Sequence, residues 1–136
     1  MDLDAARAHL ATHHRAVLAT RRRDGGTQMS PVLVALDDAG RVVVSSRETA
    51  YKVRQLRANP QVAVCVLPDD FFGKWIQVEG TASIVGLPEA MDGLVGYYRR
   101  ISGEHPDWSA YRAAMEEEKR VLITIEITRA GPDRTG

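Results

Sequence analysis

The chain has 136 residues, 18 basic against 18 acidic, and 44% of them are apolar. That length supports one domain with a real core. Zero formal charge argues against a nucleic-acid binder that works through bulk electrostatics, and the apolar share excludes a disordered chain. The longest apolar runs are strand-length, too short to span a bilayer, and the N-terminus shows no hydrophobic signal segment. Cys65 is the only cysteine, which leaves no internal disulfide and fits a reducing cytoplasm.

Residues 2–12 read as a short amphipathic helix with Leu3, Ala6 and Leu10 along one side. His9 and His13 are spaced four apart, a spacing that places two imidazoles on one helix face. A zinc site needs further ligands, and no cysteine or acidic partner stands at a recognisable spacing, so these read as polar helix-face histidines. Residues 16–20 form a short buried strand. The Asp24-Gly25-Gly26 turn follows Arg21-Arg22-Arg23, and three arginines beside a hairpin turn read as a solvated strand end. Residues 28–36 resume as one strand, in which Pro31 marks an edge, a bulge or a bend. A tight turn at residues 37–40 feeds a β-forming run, residues 41–46.

Residues 45–60 then turn from strand to helix. Val53 and Leu56 sit three apart among charges, and Asn59-Pro60 stops the pattern. Thr49 is the expected N-cap. Lys52 falls in the first turn, where a cation opposes the positive end of the helix dipole by roughly a few tenths of a kcal/mol. Ser45, Ser46 and Arg47 precede it. A strand end, a hydroxyl-rich turn, a helix N-terminus and two cations suit a phosphate or another anion. A solvated basic helix accounts for the same residues equally well, and the residues alone do not choose.

Residues 61–67 are a fourth strand, with Cys65 expected as a small buried hydrophobe. Phe71-Phe72-Gly73 makes an unusually apolar loop. Residues 75–85 alternate over a long strand, with Ile76, Val78, Gly80, Ala82 and Ile84 on one face. Gly80 and Ala82 point to close backbone approach or barrel curvature. Residues 88–101 read as a helix closed by Gly103. Asp107 caps a second helix, in which Trp108, Tyr111 and Met115 share a face, and residues 116–120 read as its solvated end. The last strand, residues 121–128, turns Val121, Ile123, Ile125 and Ile127 inward and Leu122 and Thr124 outward. Residues 131–136 are expected to fray. The expected fold is mainly β with peripheral helices: one six-stranded antiparallel barrel over residues 1–130.

No familiar catalytic arrangement is visible. There is no Gly-rich phosphate loop and no nucleophile elbow, and nothing pairs Glu79 with Glu126 as acid and base. If the chain is an enzyme, a bound cofactor carries the reaction.

A joint pattern nevertheless runs from end to end. It comprises residues 17–20 with Asp24-Gly25 and Ser30-Pro31-Val32, then Ser45-Ser46-Arg47, Lys52, Arg54, Leu56 and Asn59-Pro60. Trp75 and Val78-Glu79-Gly80-Thr81-Ala82 follow, then Tyr98-Arg99, Gly103-Glu104-His105, Asp107-Trp108, Tyr111-Arg112 and Arg120-Val121-Leu122. In these residues the chain resembles the split β-barrel superfamily of flavin and deazaflavin oxidoreductases, which includes pyridoxamine-phosphate oxidase. It looks most like the actinobacterial branch that binds the deazaflavin coenzyme F420. The resemblance implies a homodimer of split β-barrels with a cofactor in each groove between subunits. It implies neither a nucleic acid nor a membrane as partner. The implied activity is a reductase passing a hydride from reduced deazaflavin to an activated double bond in a small organic acceptor. An FMN-binding oxidoreductase or a non-catalytic flavin-binding protein are the alternatives. On the same resemblance Lys52 grips the phosphate with Ser45, Ser46 and Arg47, and Thr49 and Gln55 line the grip. Gln28 and Pro31 lie by the ring or its tail, and Trp75 contributes from the long strand. No catalytic side chain and no metal is implied. Relatives often carry a basic residue two before the lysine, where this chain has Ala50, and Arg47 is the substitute at hand.

Overall fold

The computed structural model describes residues 1–136. In chain order the elements are α1 (Leu3–Leu10), β1 (Arg15–Arg21), β2 (Thr27–Leu33), β3 (Ala35–Leu36), β4 (Val42–Arg47) and α2 (Tyr51–Ala58). They continue with β5 (Gln61–Leu67), β6 (Lys74–Val85), α3 (Met91–Ser102), α4 (Trp108–Glu117) and β7 (Arg120–Thr135). The strands form one seven-stranded antiparallel sheet in the order β2-β1-β5-β6-β7-β4-β3.

The outermost strands, β2 and β3, are consecutive in the chain and joined by Val34 alone. Two residue steps reach only about 7 Å, so the sheet has to curl until its edges approach. Val34 is fully buried. Its N–H donates to the His14 carbonyl at 2.7 Å, and its own carbonyl accepts from His14 Nδ1 at 2.8 Å. The expected second strand over residues 28–36 is therefore two strands, and the expected six are seven. The break is invisible in the pattern because Val34 is as apolar as its neighbours. Pro31 sits in β2 opposite Val17, on a strand with a partner on one side only, where a missing N–H is tolerated.

The curled sheet encloses a core that includes Leu18, Val64, Val78, Ile123 and Ile125. Helix α1 closes one end with Ala6 and Leu10, and Arg7 Nε donates to the Gly40 carbonyl just ahead of β4 at 3.1 Å. Helix α2 follows β4 directly and closes the other end with Val53 and Leu56. His9 on α1 stacks against His13, three residues past the helix end, with ring centroids 3.9 Å apart. A second core lies outside the sheet, where α3 and α4 bring Leu94, Val95, Tyr111 and Met115 against Ala35, Val43 and Leu122. Leu122 and Thr124, expected outward, are accordingly buried, because helices cover that face of β7. Gly103 ends α3 at φ +80. The Asp107 carboxylate caps α4 by accepting from the Ala110 N–H, and His105 Nδ1 accepts from the Asp107 N–H at 2.9 Å. These two residues organise the turn between the helices.

Two further expectations are corrected. The C-terminus does not fray at residue 131: β7 continues to Thr135, which pairs with Lys74. A register shift between Ile76 and Val78 leaves Gly131-Pro132 out of the pairing, so the proline removes no needed donor. Cys65 is half-exposed rather than buried, because β5 turns Val64 and Val66 inward and Cys65 outward. Partial burial still pushes its thiol pKa up, away from nucleophile range.

The outer faces of β1, β2, β5 and β6 have no helix over them. Met29 (69% exposed) and Leu33 project there, and beside them Cys65, Leu67, Phe71, Phe72 and Trp75 line an apolar pocket of about 230 Å³. No helix is long and apolar enough to cross a membrane.

Gly80 marks the tightest point of the sheet. A second register shift falls beside it, and a Cβ there would lie 2.2 Å from the Glu126 carbonyl oxygen and 2.8 Å from Ile125 Cγ2. The near atom is backbone and cannot swing aside. Gly80→Ala should therefore destabilise the fold by about 1–3 kcal/mol in urea unfolding. An unchanged midpoint would show that β6 and β7 separate more easily than their pairing indicates.

Candidate functional site

Helix α2 opens without a cap. Its N-cap is Ala50, which has no side chain to accept from the first turn, and no acidic residue stands in that turn. The expected Thr49 cap is corrected: the Ala50 N–H bonds the Arg47 carbonyl at 3.1 Å, which delays the helix by one residue and leaves Thr49 exposed in the turn. Lys52 stands in the uncapped turn, half-buried, with neither an ion pair nor a side-chain hydrogen bond. Burial first, and Arg120 second, hold its pKa below the ordinary lysine value.

Arg120 opens β7 directly opposite Arg47 of β4. One carboxylate serves both. Glu118 Oε1 accepts from Arg120 Nη2 and Nε at 2.7 and 2.9 Å, and Arg47 Nη2 lies 3.4 Å from it. Arg47 and Arg120 thus share a single counter-charge and Lys52 has none, which leaves this mouth of the barrel electropositive. Ser45 is half-buried on the same side of β4 as Arg47, whereas Ser46 points inward, 3% exposed, with its hydroxyl 3.4 Å from the Arg47 carbonyl. The Tyr97 hydroxyl donates to the Leu33 carbonyl at 2.9 Å. Burial raises its pKa, against the pull of the Ser45 backbone N–H and Arg120. A cavity of about 520 Å³ opens beside Arg120, walled by Glu48, Pro88 and Lys119.

Gln55 lies one helical turn beyond Lys52 on the same face of α2. Its Oε1 accepts from the Thr20 hydroxyl at 2.6 Å, and its Nε2 donates to Gln28 Oε1 at 2.8 Å. Lys52, Gln55 and Gln28 are thereby brought to one end of the barrel with Ser45, Ser46, Arg47 and Thr49. Pro31 is not: three residues from Gln28 along β2, it lies on the opposite, outer face. Trp75 is also set apart. It is the second residue of β6, and the strand reaches the segment just past α2 seven residues later, where the Ala82 N–H donates to the Pro60 carbonyl. That is roughly 23 Å along the strand.

Four residues of this end were not singled out for the site in the sequence: Arg120, Glu118, Tyr97 and Thr20. Arg120 and Glu118 read there as a solvated helix end. Only the register that places Arg120 across from Arg47 gives them a role beside Lys52.

A small curled antiparallel barrel with a full interior and cations gathered at one mouth could hold an anionic ligand only on its outside. The chain belongs to the pyridoxamine 5'-phosphate oxidase family, whose model matches residues 3–131. It is similar to the solved structure of an F420 reductase, at 26% identity and a TM-score of 0.71, over 91% of this chain and 94% of that one. The conserved hypothetical protein Rv2991 from Mycobacterium tuberculosis shares the fold, with a TM-score of 0.78 and 24% identity over 96% of this chain and 82% of that one. So does a heme binding protein from Mycobacterium smegmatis, with a TM-score of 0.73 and 16% identity over 98% of this chain and 57% of that one. Family and neighbours together support an oxidoreductase-like protein for a flavin-type or deazaflavin-type cofactor.

The electropositive mouth has a cost in the free protein. Lys52 has a lower pKa folded than unfolded, so its charged form opposes folding at any pH below the folded pKa. That penalty disappears as pH rises through the folded pKa, which lies below 10.5. Without added anion at pH 7, Lys52→Met should unfold later in urea, by about 0.5–2 kcal/mol. The gap between variant and wild type should narrow toward pH 10. Equal stability at pH 7 would mean that Lys52 is simply solvated.

Proposed function

We propose that the protein is an F420-dependent reductase. The observation that carries this reading is Lys52: a half-buried cation in an uncapped first turn, without a counter-ion, beside Arg47 and Arg120. Such a group fits a phosphate. The likeness to an F420 reductase supports a deazaflavin as its bearer. Coenzyme F420, when bound, supplies the hydride that reduces an activated carbon–carbon or carbon–nitrogen double bond in a small organic acceptor.

The chain's own part is binding and placement. Lys52, Arg120 and Arg47 neutralise the phosphate, and an anion there raises the pKa of Lys52 back toward its ordinary value. Arg120, whose charge reaches Lys52, joins the expected Arg47 in place of the basic residue absent at Ala50. On this reading the Ser45 and Thr49 hydroxyls, at the same end of the barrel, are further donors to the phosphate. No side chain acts as a nucleophile; orientation and exclusion of water supply the acceleration. The interior is filled by side chains, so the cofactor lies outside the barrel. The uncovered apolar face of β1, β2, β5 and β6 suits a second copy of the chain, and a groove between two barrels then draws Trp75 and Pro31 from the partner chain.

FMN is the second reading, favoured by the match to pyridoxamine 5'-phosphate oxidase. Fluorescence titration of the purified protein with F420 and with FMN decides between them, and the F420 titration should saturate at the lower concentration. Binding of F420 without turnover over a panel of acceptors would leave a carrier rather than a reductase. Lys52→Ala should weaken binding by about 1.5–3 kcal/mol, the scale of a charge-assisted hydrogen bond; unchanged affinity removes Lys52 from the site. In sedimentation the protein should run as a dimer, and a stable monomer at about micromolar concentration would count against a groove between subunits.

A further inference from the structure

The amides at the barrel mouth form a directed chain. The 2.6 Å contact between Thr20 Oγ1 and Gln55 Oε1 has the length of an O–H···O bond and is shorter than N–H···O bonds run. Gln55 therefore turns its carbonyl, not its amino group, toward Thr20. Thr20 is 2% exposed, so water does not compete for that hydroxyl. The Gln55 amino group then has to face outward, where it donates to Gln28 Oε1 at 2.8 Å. With its carbonyl occupied, Gln28 is left with an amino group that has no partner in the protein. It lies at the same end of the barrel as Lys52, reached through a residue one helical turn from that lysine.

We propose that Thr20 and Gln55 are positioning residues that set the polarity of the Gln28 amide, so that Gln28 offers an N–H donor to a hydrogen-bond acceptor, a carbonyl or hydroxyl oxygen, on the ligand whose phosphate lies on Lys52. The ligand half of this inference rests on the proposed function; the relay itself does not. Gln55, a cofactor contact by resemblance, acts instead through Gln28. A buried hydroxyl on β1 thus selects what a half-exposed side chain on β2 presents to solvent.

Two substitutions separate this from a merely structural role. Thr20→Val keeps the shape and removes the donor. Gln55→Glu accepts from Thr20 and also from the Gln28 amino group, which turns the Gln28 carbonyl outward. With F420 as the probe, Thr20→Val should bind about fivefold or more weakly, and Gln55→Glu more weakly still. In a Gln28→Met background Thr20→Val should add no further loss; a loss of the same size there would make Thr20 structural and overturn the relay. Side-chain amide NMR of the free protein gives a second readout. The Gln28 and Gln55 amide signals should both shift in Thr20→Val, and signals that stay in place would also overturn it. A wild type that binds neither F420 nor FMN would overturn the proposed function and the ligand half of the inference, while the amide signals still decide the relay.

Discussion

Closure of the sheet through Val34 is the constraint on which the rest of the molecule depends. Because one buried residue joins β2 to β3, the strands at opposite edges cannot splay apart, and the sheet has to curl around its own side chains. The inward residues then fill the interior, and close packing leaves little empty space there. Any large ligand has to lie on the outside. The same closure fixes the two ends, and α2 seals one of them with Val53 and Leu56 while its first turn faces out with Lys52. The fold that seals the barrel also carries the cation cluster.

The site itself opposes stability. A helix start would ordinarily carry a capping hydroxyl or carboxylate and an acidic first turn. Here it carries Ala50 and Lys52. Across two strands, Arg47 faces Arg120, a like-charge pair that is unfavourable unless something lies between its members. Glu118 is that something, but one carboxylate does not balance three cations. Each local choice disagrees with the helix and the sheet that hold it, and all disagree in the same sense, toward an added negative charge. Such concerted conflict at one place is what a binding site looks like when local rules are otherwise obeyed.

Most of the fold was legible because the periods were clean. Alternation over residues 75–85 and 121–128 placed β6 and the first half of β7, and Asp107 and Gly103 set the junction of α3 and α4. What was hidden had specific reasons. Val34 interrupts pairing without interrupting the apolar pattern. Gly131-Pro132 looks like the end of a strand, yet a bulge carries the ladder past it. Thr49 has the right chemistry for a cap but stands one residue too early. At the site, Lys52 was legible from its awkward place in a helix. Arg120 was not, because its role comes from a cross-strand register between residues far apart in sequence. The Thr20–Gln55–Gln28 chain was equally invisible, since three elements have to meet before its members touch.

Pro31 and Trp75 point to the uncovered face of the sheet. Both are placed by resemblance beside the cofactor, and within one chain neither is near Lys52. Pro31 faces outward on β2, and Trp75 lies at the far end of β6 beside Cys65 and Phe71. Yet both border the one side of the sheet that no helix covers, with Met29 and Leu33 exposed among them. Side chains that belong to a site but sit on the uncovered face of the same barrel are reconciled if that face meets the mouth of another barrel. A single barrel of this size has a full interior and one mouth of gathered cations, which suits an anion but gives a flat ring little that is apolar to lie against. Two barrels packed on the uncovered face supply what one lacks, and on the proposed function the apolar face and the cation cluster are then two halves of one site.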